Sequence, residues 1–258
     1  MKLLYGTAWK EGETARLVRL ALDAGFRGID TANQRKHYFE AAVGEAIRGF
    51  PREQLFLQTK FTFVDGQDHR LPYDPKAPVA RQVEQSCASS LEHLGTSWLD
   101  SYVLHGPSRR SGWHAADAEA WAAMEALHDR GVVKSLGVSN VGLDQLEALW
   151  AAARVKPKFV QNRCYARTRW DATVRAFCSR NGITYQGFSL LTANPEALRA
   201  ARPIAARLGV TEAQVIFAFA LKVGMLPLTG TTDERHMRED LAAADLKLGE
   251  EDVKLLGG

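Results

Sequence analysis

Short apolar runs recur along the chain, each followed by a longer segment whose apolar residues return every three or four positions. Leu3–Thr7 precedes Thr14–Ala24, Gly28–Asp30 precedes Phe39–Arg48, and Leu55–Lys60 precedes Val79–Leu94. Ser101–His105 leads into Asp117–Arg130, Ser135–Val138 into Leu143–Ala153, and Phe159–Gln161 into Trp170–Arg180. Thr184–Phe188 is followed by two helical stretches, Glu196–Leu208 and Thr211–Val223, and Leu226–Leu228 by Glu234–Ala244. The longer segments read as amphipathic helices. In the first, Leu17, Leu20, Ala21 and Ala24 share one face and Arg16, Arg19 and Asp23 lie off it. The short runs are nearly all apolar, as parallel strands buried on both faces are. Gly25, Gly95, Gly131, Gly182, Gly209 and Gly224 follow helices, where a left-handed cap is needed. Eight strand–helix units without a linker or a composition break predict an α/β fold, a closed (β/α)8 TIM barrel forming a single domain over 1–258. A doubly wound open sheet is the rival, but its Gly-x-Gly-x-x-Gly after the first strand is absent.

In such a barrel the loops at the carboxyl ends of the strands converge on one mouth, so polar residues ending apolar strands are the ones that carry chemistry. Asp30, Lys60 and His105 end strands two, three and four; Ser139-Asn140 and Gln161-Asn162 end strands five and six. Asp30 and Lys60 lie on neighbouring strands and can pair, which compensates two partly buried charges. A lysine ammonium beside a phenol is expected to favour the phenolate and lower a tyrosine pKa. Tyr38, in the loop after strand two, is available for that role, and His105 can donate to an oxygen gaining negative charge. Together these suit carbonyl reduction.

The same residues resemble the signatures of the aldo-keto reductases. Ile29-Asp30-Thr31-Ala32 with Tyr38, Thr59-Lys60, Tyr102-Val103-Leu104-His105-Gly106-Pro107 and Gly137-Val138-Ser139-Asn140 stand in the family's order, from Gly6-Thr7 to about Asp240. The resemblance implies a nicotinamide cofactor, NADP(H) favoured and NAD(H) as the alternative. It implies Tyr38 as general acid, Lys60 tuning it, Asp30 holding Lys60, and His105 orienting the carbonyl. It places Thr7, Ser139, Asn140 and Asn162 around the cofactor, the last three near the nicotinamide carboxamide. Phe188 would stack on the ring, with Ser189 and Leu190 at the pyrophosphate. Gly230, Thr231, Thr232, His236, Glu239 and Asp240 fall on the adenosine segment. There Gly230 and His236 replace the Lys and Arg that grip the 2′-phosphate in many members, which leaves that end without its usual cations. The Asp30-to-Tyr38 spacing is wider than the family's, through Asn33–His37, so this loop must bulge to return the phenol to the mouth. The family's Asn-Gln at the end of strand six is reversed as Gln161-Asn162.

Phe61–Pro78 is too rich in Pro and Asp for a helix and reads as a partial lid. Trp9, Phe63 and Trp113 are candidate aromatic walls for a substrate. Many members carry a long carboxyl-terminal loop; little follows the last barrel helix here, and an open pocket is expected. Two other readings stand beside carbonyl reduction: a nicotinamide-binding sensor with little turnover, and a Schiff-base lyase using Lys60 as nucleophile.

Composition narrows the partners. Across 258 residues, 33 Lys and Arg against 30 Asp and Glu leave +3, without the basic, aromatic-interleaved stretch that nucleic acid requires. Cys87, Cys164 and Cys178 are odd in number and widely spaced, which excludes a disulfide framework, although Cys164 falls in the mouth and could be reactive. His37, His69, His93, His114 and His128 lack metal-ligand spacing and read as surface residues, and no metal is expected. Arg163, Arg167 and Arg169 read as a solvated face. Neither a signal peptide nor a membrane span is apparent. The expectation is a cytoplasmic protein, a monomer or weak oligomer, acting on a small-molecule carbonyl substrate.

Overall fold

The computed structural model describes residues 1–257. Eight parallel strands pair in sequence order and close into a barrel, β8 returning to β1. They are β1 (Leu4–Gly6), β2 (Gly28–Asp30), β3 (Phe56–Phe61), β4 (Ser101–Leu104), β5 (Leu136–Ser139), β6 (Phe159–Arg163), β7 (Thr184–Phe188) and β8 (Met225–Thr229). The surrounding helices are α1 (Thr14–Ala24), α2 (Glu40–Ile47), α3 (Val79–Leu94), α4 (Ala115–Asp129), α5 (Leu143–Ala152), α6 (Ala172–Arg180), α7 (Pro195–Leu208), α8 (Glu212–Lys222) and α9 (Glu234–Ala242). The expected (β/α)8 barrel is therefore the fold. Alternation along each strand divides the apolar side chains into two bodies. Val18, Ile29, Leu57, Tyr102, Val138 and Val160 belong to the large core between sheet and helices. Leu4, Leu226 and Leu228 form a separate plug inside the barrel, with Phe56 and Phe188 against it. The helix caps follow the glycines: Gly25 and Gly95 hold φ of 114° and 63°, which other residues adopt only at a cost.

Three local expectations change. The sixth helix spans Ala172–Arg180 and does not begin at Trp170, because Arg169, Trp170 and Asp171 all take positive φ. Trp170 is wholly buried there, and its indole N–H donates to the Leu256 carbonyl at 2.7 Å. A final helix, α10 (Glu250–Gly257), lies against α7 and α8 where none was expected. The 61–78 segment is stitched to the rest of the mouth. Gln34 donates to the Gly66 carbonyl at 2.6 Å and Gln67 to that of Asn33 at 2.9 Å, while within the segment the Tyr73 hydroxyl donates to the Thr62 carbonyl at 2.7 Å. No described helix is by itself long and apolar enough to cross a membrane.

Candidate active site

The neighbouring strands β2 and β3 bring Asp30 and Lys60 together, as their positions at adjacent strand ends predict. The Lys60 ammonium is fully buried and donates to Asp30 Oδ1 at 2.8 Å, Asp30 Oδ2 at 2.7 Å and the Thr31 carbonyl at 2.7 Å. Burial pushes Lys60 below the ordinary lysine value, and the charges of Asp30 and Glu40 oppose this. Three acceptors around one nitrogen require all three N–H bonds, so the group is an ammonium paired with a carboxylate. A nitrogen so engaged is not free to attack a carbonyl, and the geometry gives no support to a Schiff-base lyase.

The pair rests on a layer of amides inside the barrel. Gln58 and Gln161 donate to Asp30 Oδ1 at 2.7 and 3.0 Å, and both also donate to Gln186 Oε1, at 2.8 and 2.9 Å. Gln186 returns a bond to Gln58 Oε1 at 3.0 Å. Branched apolar side chains usually fill this part of a barrel; here amides satisfy a charge that would otherwise be costly to bury. Sequence reading missed Gln58 and Gln186. Their signal was a polar residue two positions before Lys60, hence on the same inward face, and another in an apolar strand.

Asn33–His37 bulges as a turn, with the N–H groups of His37 and Tyr38 both donating to the Gln34 carbonyl at 3.0 Å. The turn returns Tyr38 to a cavity of about 950 Å³ that Asp30 and His105 also line. Its ring centroid lies 5.9 Å from that of His105 and 5.2 Å from Lys60 Nζ. The expected depression of the tyrosine pKa is not found. Burial, and next the Asp30 carboxylate, hold Tyr38 well above the usual tyrosine value. The ammonium's charge is cancelled by its own partner, so the phenol stays protonated. His105 is pushed down to about 3, first by burial and then by the charges of Lys60 and His37, so its imidazole is neutral near neutral pH. The Thr62 hydroxyl lies 2.7 Å from its Nδ1. When Thr62 donates there, the ring proton resides on Nε2, the nitrogen left for a ligand.

An acid held protonated, a neutral imidazole donor and a buried ion pair meet beside one cavity, and the whole chain bears the corresponding family pattern. The sequence profile described as the Aldo/keto reductase family matches residues 2–257. This chain belongs to the aldo/keto reductase family. It is 30% identical over 251 residues to the oxidoreductase YtbE of Bacillus subtilis, covering 93% of this chain and 81% of that one. It is 29% identical over 248 residues to a Schizosaccharomyces pombe protein named NAD/NADP-dependent indole-3-acetaldehyde reductase, with 93% and 81% covered. The crystal structure of an aldo/keto reductase from Brucella melitensis superposes with a TM-score of 0.84 at 26% identity, over 99% of this chain and 93% of that one. Aldo/keto reductases are oxidoreductases that act on small-molecule carbonyl compounds with nicotinamide cofactors.

Within this aldo/keto reductase the cavity gathers most of the residues singled out for the cofactor. Ser139, Asn140, Phe188, Ser189, Leu190, Gly230, Thr231, His236, Glu239 and Asp240 line it, as does Trp9, which stacks on His37 with centroids 3.8 Å apart. Asn140 takes φ 52°, and its amide donates to the His105 carbonyl at 2.7 Å and to Ser139 Oγ at 3.2 Å. Burial pushes Asp240 up to about 6, although the Thr229 hydroxyl donates to it at 2.6 Å. Phe63 lines a smaller adjoining cavity of about 240 Å³ with Gln34, Thr62 and His105.

Besides Lys60, which is buried behind Asp30, four residues do not reach either cavity. Thr7 is buried and donates from Oγ1 to the Asp30 carbonyl at 3.1 Å. Thr232 is exposed on the turn after β8. Trp113 packs against the outer core. Asn162 faces away from the mouth: its amide donates to the Val141 carbonyl and to Asp171 Oδ2, both at 2.9 Å, and accepts from the Val141 N–H at 3.0 Å. Its inward neighbour Gln161 lines the cavity instead. Strand parity decides this, since side chains alternate and only one of two consecutive residues faces inward.

Other expectations fall as well. Cys164 is buried, and burial pushes its thiol up to about 12, so it is an inert packed thiol and not a reactive one. His37, read as surface, is half-buried and lines the cavity; Arg163 lines it too while remaining exposed. His93 is half-exposed but bonds at 3.2 Å to the buried Glu40, which also accepts from Thr59 and Ser90. Among the described residues no cluster suits a metal ion.

Proposed function

We propose that this chain reduces aldehydes or ketones to alcohols, reversibly, with NADPH as the favoured cofactor and NADH as the alternative. The observation that carries the reading is the convergence of Tyr38, His105 and Asp30 on one cavity, with the Lys60 ammonium buried behind Asp30 and 5.2 Å from the Tyr38 ring centroid. The cavity suits a dinucleotide: it encloses about 950 Å³, has the flat ring of Phe188 in its lining, and has the Gln161 amide there too, bonded to Asp30 and Gln186. Both Gln161 N–H contacts are made to acceptors, which leaves Oε1 as its free group. Bound there, the reduced nicotinamide supplies the hydride to the carbonyl carbon.

The protein's own residues do the rest. Tyr38 holds a proton on Oη and delivers it to the carbonyl oxygen as negative charge develops. His105 donates from Nε2 to the same oxygen, which fixes the carbonyl before reaction and stabilises its charge during it. Lys60 stabilises the phenolate left behind; its ammonium, fixed by Asp30, needs no rearrangement when that charge appears. Ser139, Asn140 and Gln161 would hold the carboxamide, and Phe188 the ring face. Trp9, Phe63 and the smaller cavity receive the remainder of the carbonyl compound. The name of the S. pombe relative, an aldehyde reductase using either cofactor, supports this substrate class.

The test is whether the purified protein oxidises NADPH or NADH on addition of small aldehydes and ketones, with one alcohol formed per cofactor consumed. No turnover across such a panel, with cofactor bound, overturns the reading and favours a sensor. Gln161→Met is expected to weaken cofactor binding about three- to tenfold, the loss of one neutral hydrogen bond. Unchanged cofactor affinity in that variant, measured by fluorescence quenching, removes Gln161 from the carboxamide site.

A further inference from the structure

Thr62 leads β3 into the 61–78 segment and stands beside His105. Among the described residues its hydroxyl has one hydrogen-bond partner, His105 Nδ1 at 2.7 Å. The two groups can share that contact in two ways. If Nδ1 carries the ring proton and donates it to Thr62, the hydroxyl proton must turn elsewhere, where no protein acceptor is in reach, and Nε2 is left bare. If Thr62 donates, the hydroxyl is satisfied and Nε2 carries the N–H. Thr62 is buried, so the arrangement that leaves no hydroxyl proton unpaired is the favoured one. A ring protonated on both nitrogens is the remaining possibility, and burial keeps His105 from it near neutral pH.

Thr62 is itself held from three sides. The His105 N–H donates to the Phe61 carbonyl at 2.8 Å, which ties the histidine backbone to the residue before Thr62. The Thr62 carbonyl accepts from the Tyr73 hydroxyl at 2.7 Å and from Gln67 Nε2 at 3.4 Å. Tyr73 is buried, its ring 5.6 Å from that of Phe61. The Thr62 methyl packs against Gly66, where a Cβ would fall 2.7 Å from Cγ2, closer than two such carbons can sit. Gln34 in turn holds the Gly66 carbonyl at 2.6 Å. A β-branched side chain is stiff at χ1, so a methyl lodged against Gly66 fixes the hydroxyl as well.

We propose that Thr62 is a positioning residue for His105: its hydroxyl fixes the ring in the tautomer that offers Nε2–H to the substrate oxygen, and Gly66 and Tyr73 hold Thr62 for that task. The proposal rests on the reading that His105 donates to the carbonyl being reduced. It gives the 61–78 segment a part in catalysis that is exerted through Thr62 and not by covering the mouth.

Nitrogen chemical shifts of His105, read by NMR in protein carrying labelled histidine, and the kinetics of Thr62 variants together test this. His105 is assigned by the signals lost in His105→Asn. In the wild type near neutral pH, Nε2 is expected to carry the proton and Nδ1 to be bare. Thr62→Val keeps the side-chain shape without the hydroxyl. It is expected to populate the other tautomer and to lower kcat/KM for a small aldehyde about ten- to a hundredfold, with the cofactor Kd within about twofold. Thr62→Ser restores the wild-type tautomer and most of kcat/KM, and Tyr73→Phe, which only loosens Thr62, shows a smaller loss than Thr62→Val. A wild-type ring protonated on Nδ1 would overturn the proposal, as would an unchanged tautomer in Thr62→Val at any rate of turnover. Equal losses in Thr62→Ser and Thr62→Val would overturn it too, because the hydroxyl would then not be what matters. A wild type that turns over no carbonyl compound overturns the reductase reading, and the tautomer measured in the same protein still decides the role of Thr62.

Discussion

Tyr38→Phe is expected to lower kcat for carbonyl reduction by about 10²- to 10⁴-fold while cofactor binding stays within about twofold. The substitution removes one oxygen and keeps the ring, so its packing against His105 and Lys60 is preserved. What is lost is the proton. His105 cannot replace it, because burial and the neighbouring cations keep its imidazole neutral down to about pH 3 and leave it a hydrogen-bond donor. The phenol's raised pKa gives the reaction a direction with pH. Reduction requires the protonated phenol and proceeds without an alkaline limb from Tyr38 near neutrality, whereas alcohol oxidation requires the phenolate and gains as pH rises. Retention of more than about a tenth of wild-type kcat in Tyr38→Phe would remove the residue from the chemistry.

The second large effect concerns stability. Lys60→Met is expected to destabilise the fold by about 3–5 kcal/mol and to abolish reduction, because it strands the Asp30 carboxylate in the barrel with only amide donors. At this chain length that loss corresponds to a fall in Tm of roughly 10 °C. Asp30→Leu combined with Lys60→Met removes both charges and is expected to recover much of the lost stability, since an apolar replacement avoids the cost of desolvating ions. Activity does not return in the double variant. Stability and catalysis are thus expected to separate in these two variants. A single Lys60→Met variant melting within about 2 °C of the wild type would contradict the buried-pair account.

Much of this was legible in the chain because periodicity reports burial directly. The expected α1, β2, α3 and β7 coincide with the observed elements to the residue, and Asp30 and Lys60 end or nearly end their strands as apolar runs closing on a charge predict. Gly-led caps gave the helix ends. What stayed hidden depends on parity or on loop paths. Gln161 and Asn162 are adjacent in sequence, and only the pairing of Ser139 with Gln161 and the amide contacts to Asp30 reveal which one faces inward. The Gln58–Gln186 link joins β3 to β7 across the barrel, a separation no local pattern encodes. Lys10 and His37 enter the cavity through the shape of their loops. The start of the sixth helix was misread because Trp170 is apolar and buried, yet sits in a left-handed turn that serves the Leu256 contact. Tyr38 lines the cavity, but the sign of its pKa shift depends on burial and on the Asp30 carboxylate, which offsets the charge of Lys60.

Isotope tracing of the reaction itself tests the central claim most directly. Wild-type protein is mixed with NADPH dideuterated at C4 of the nicotinamide and a small aldehyde, and the product is examined by mass spectrometry. The predicted product is the alcohol with one deuterium on its carbinol carbon, formed in step with cofactor oxidation and lost in Tyr38→Phe. Product without deuterium at that carbon, or deuterated product formed equally fast without the Tyr38 hydroxyl, would contradict the proposed role of this site.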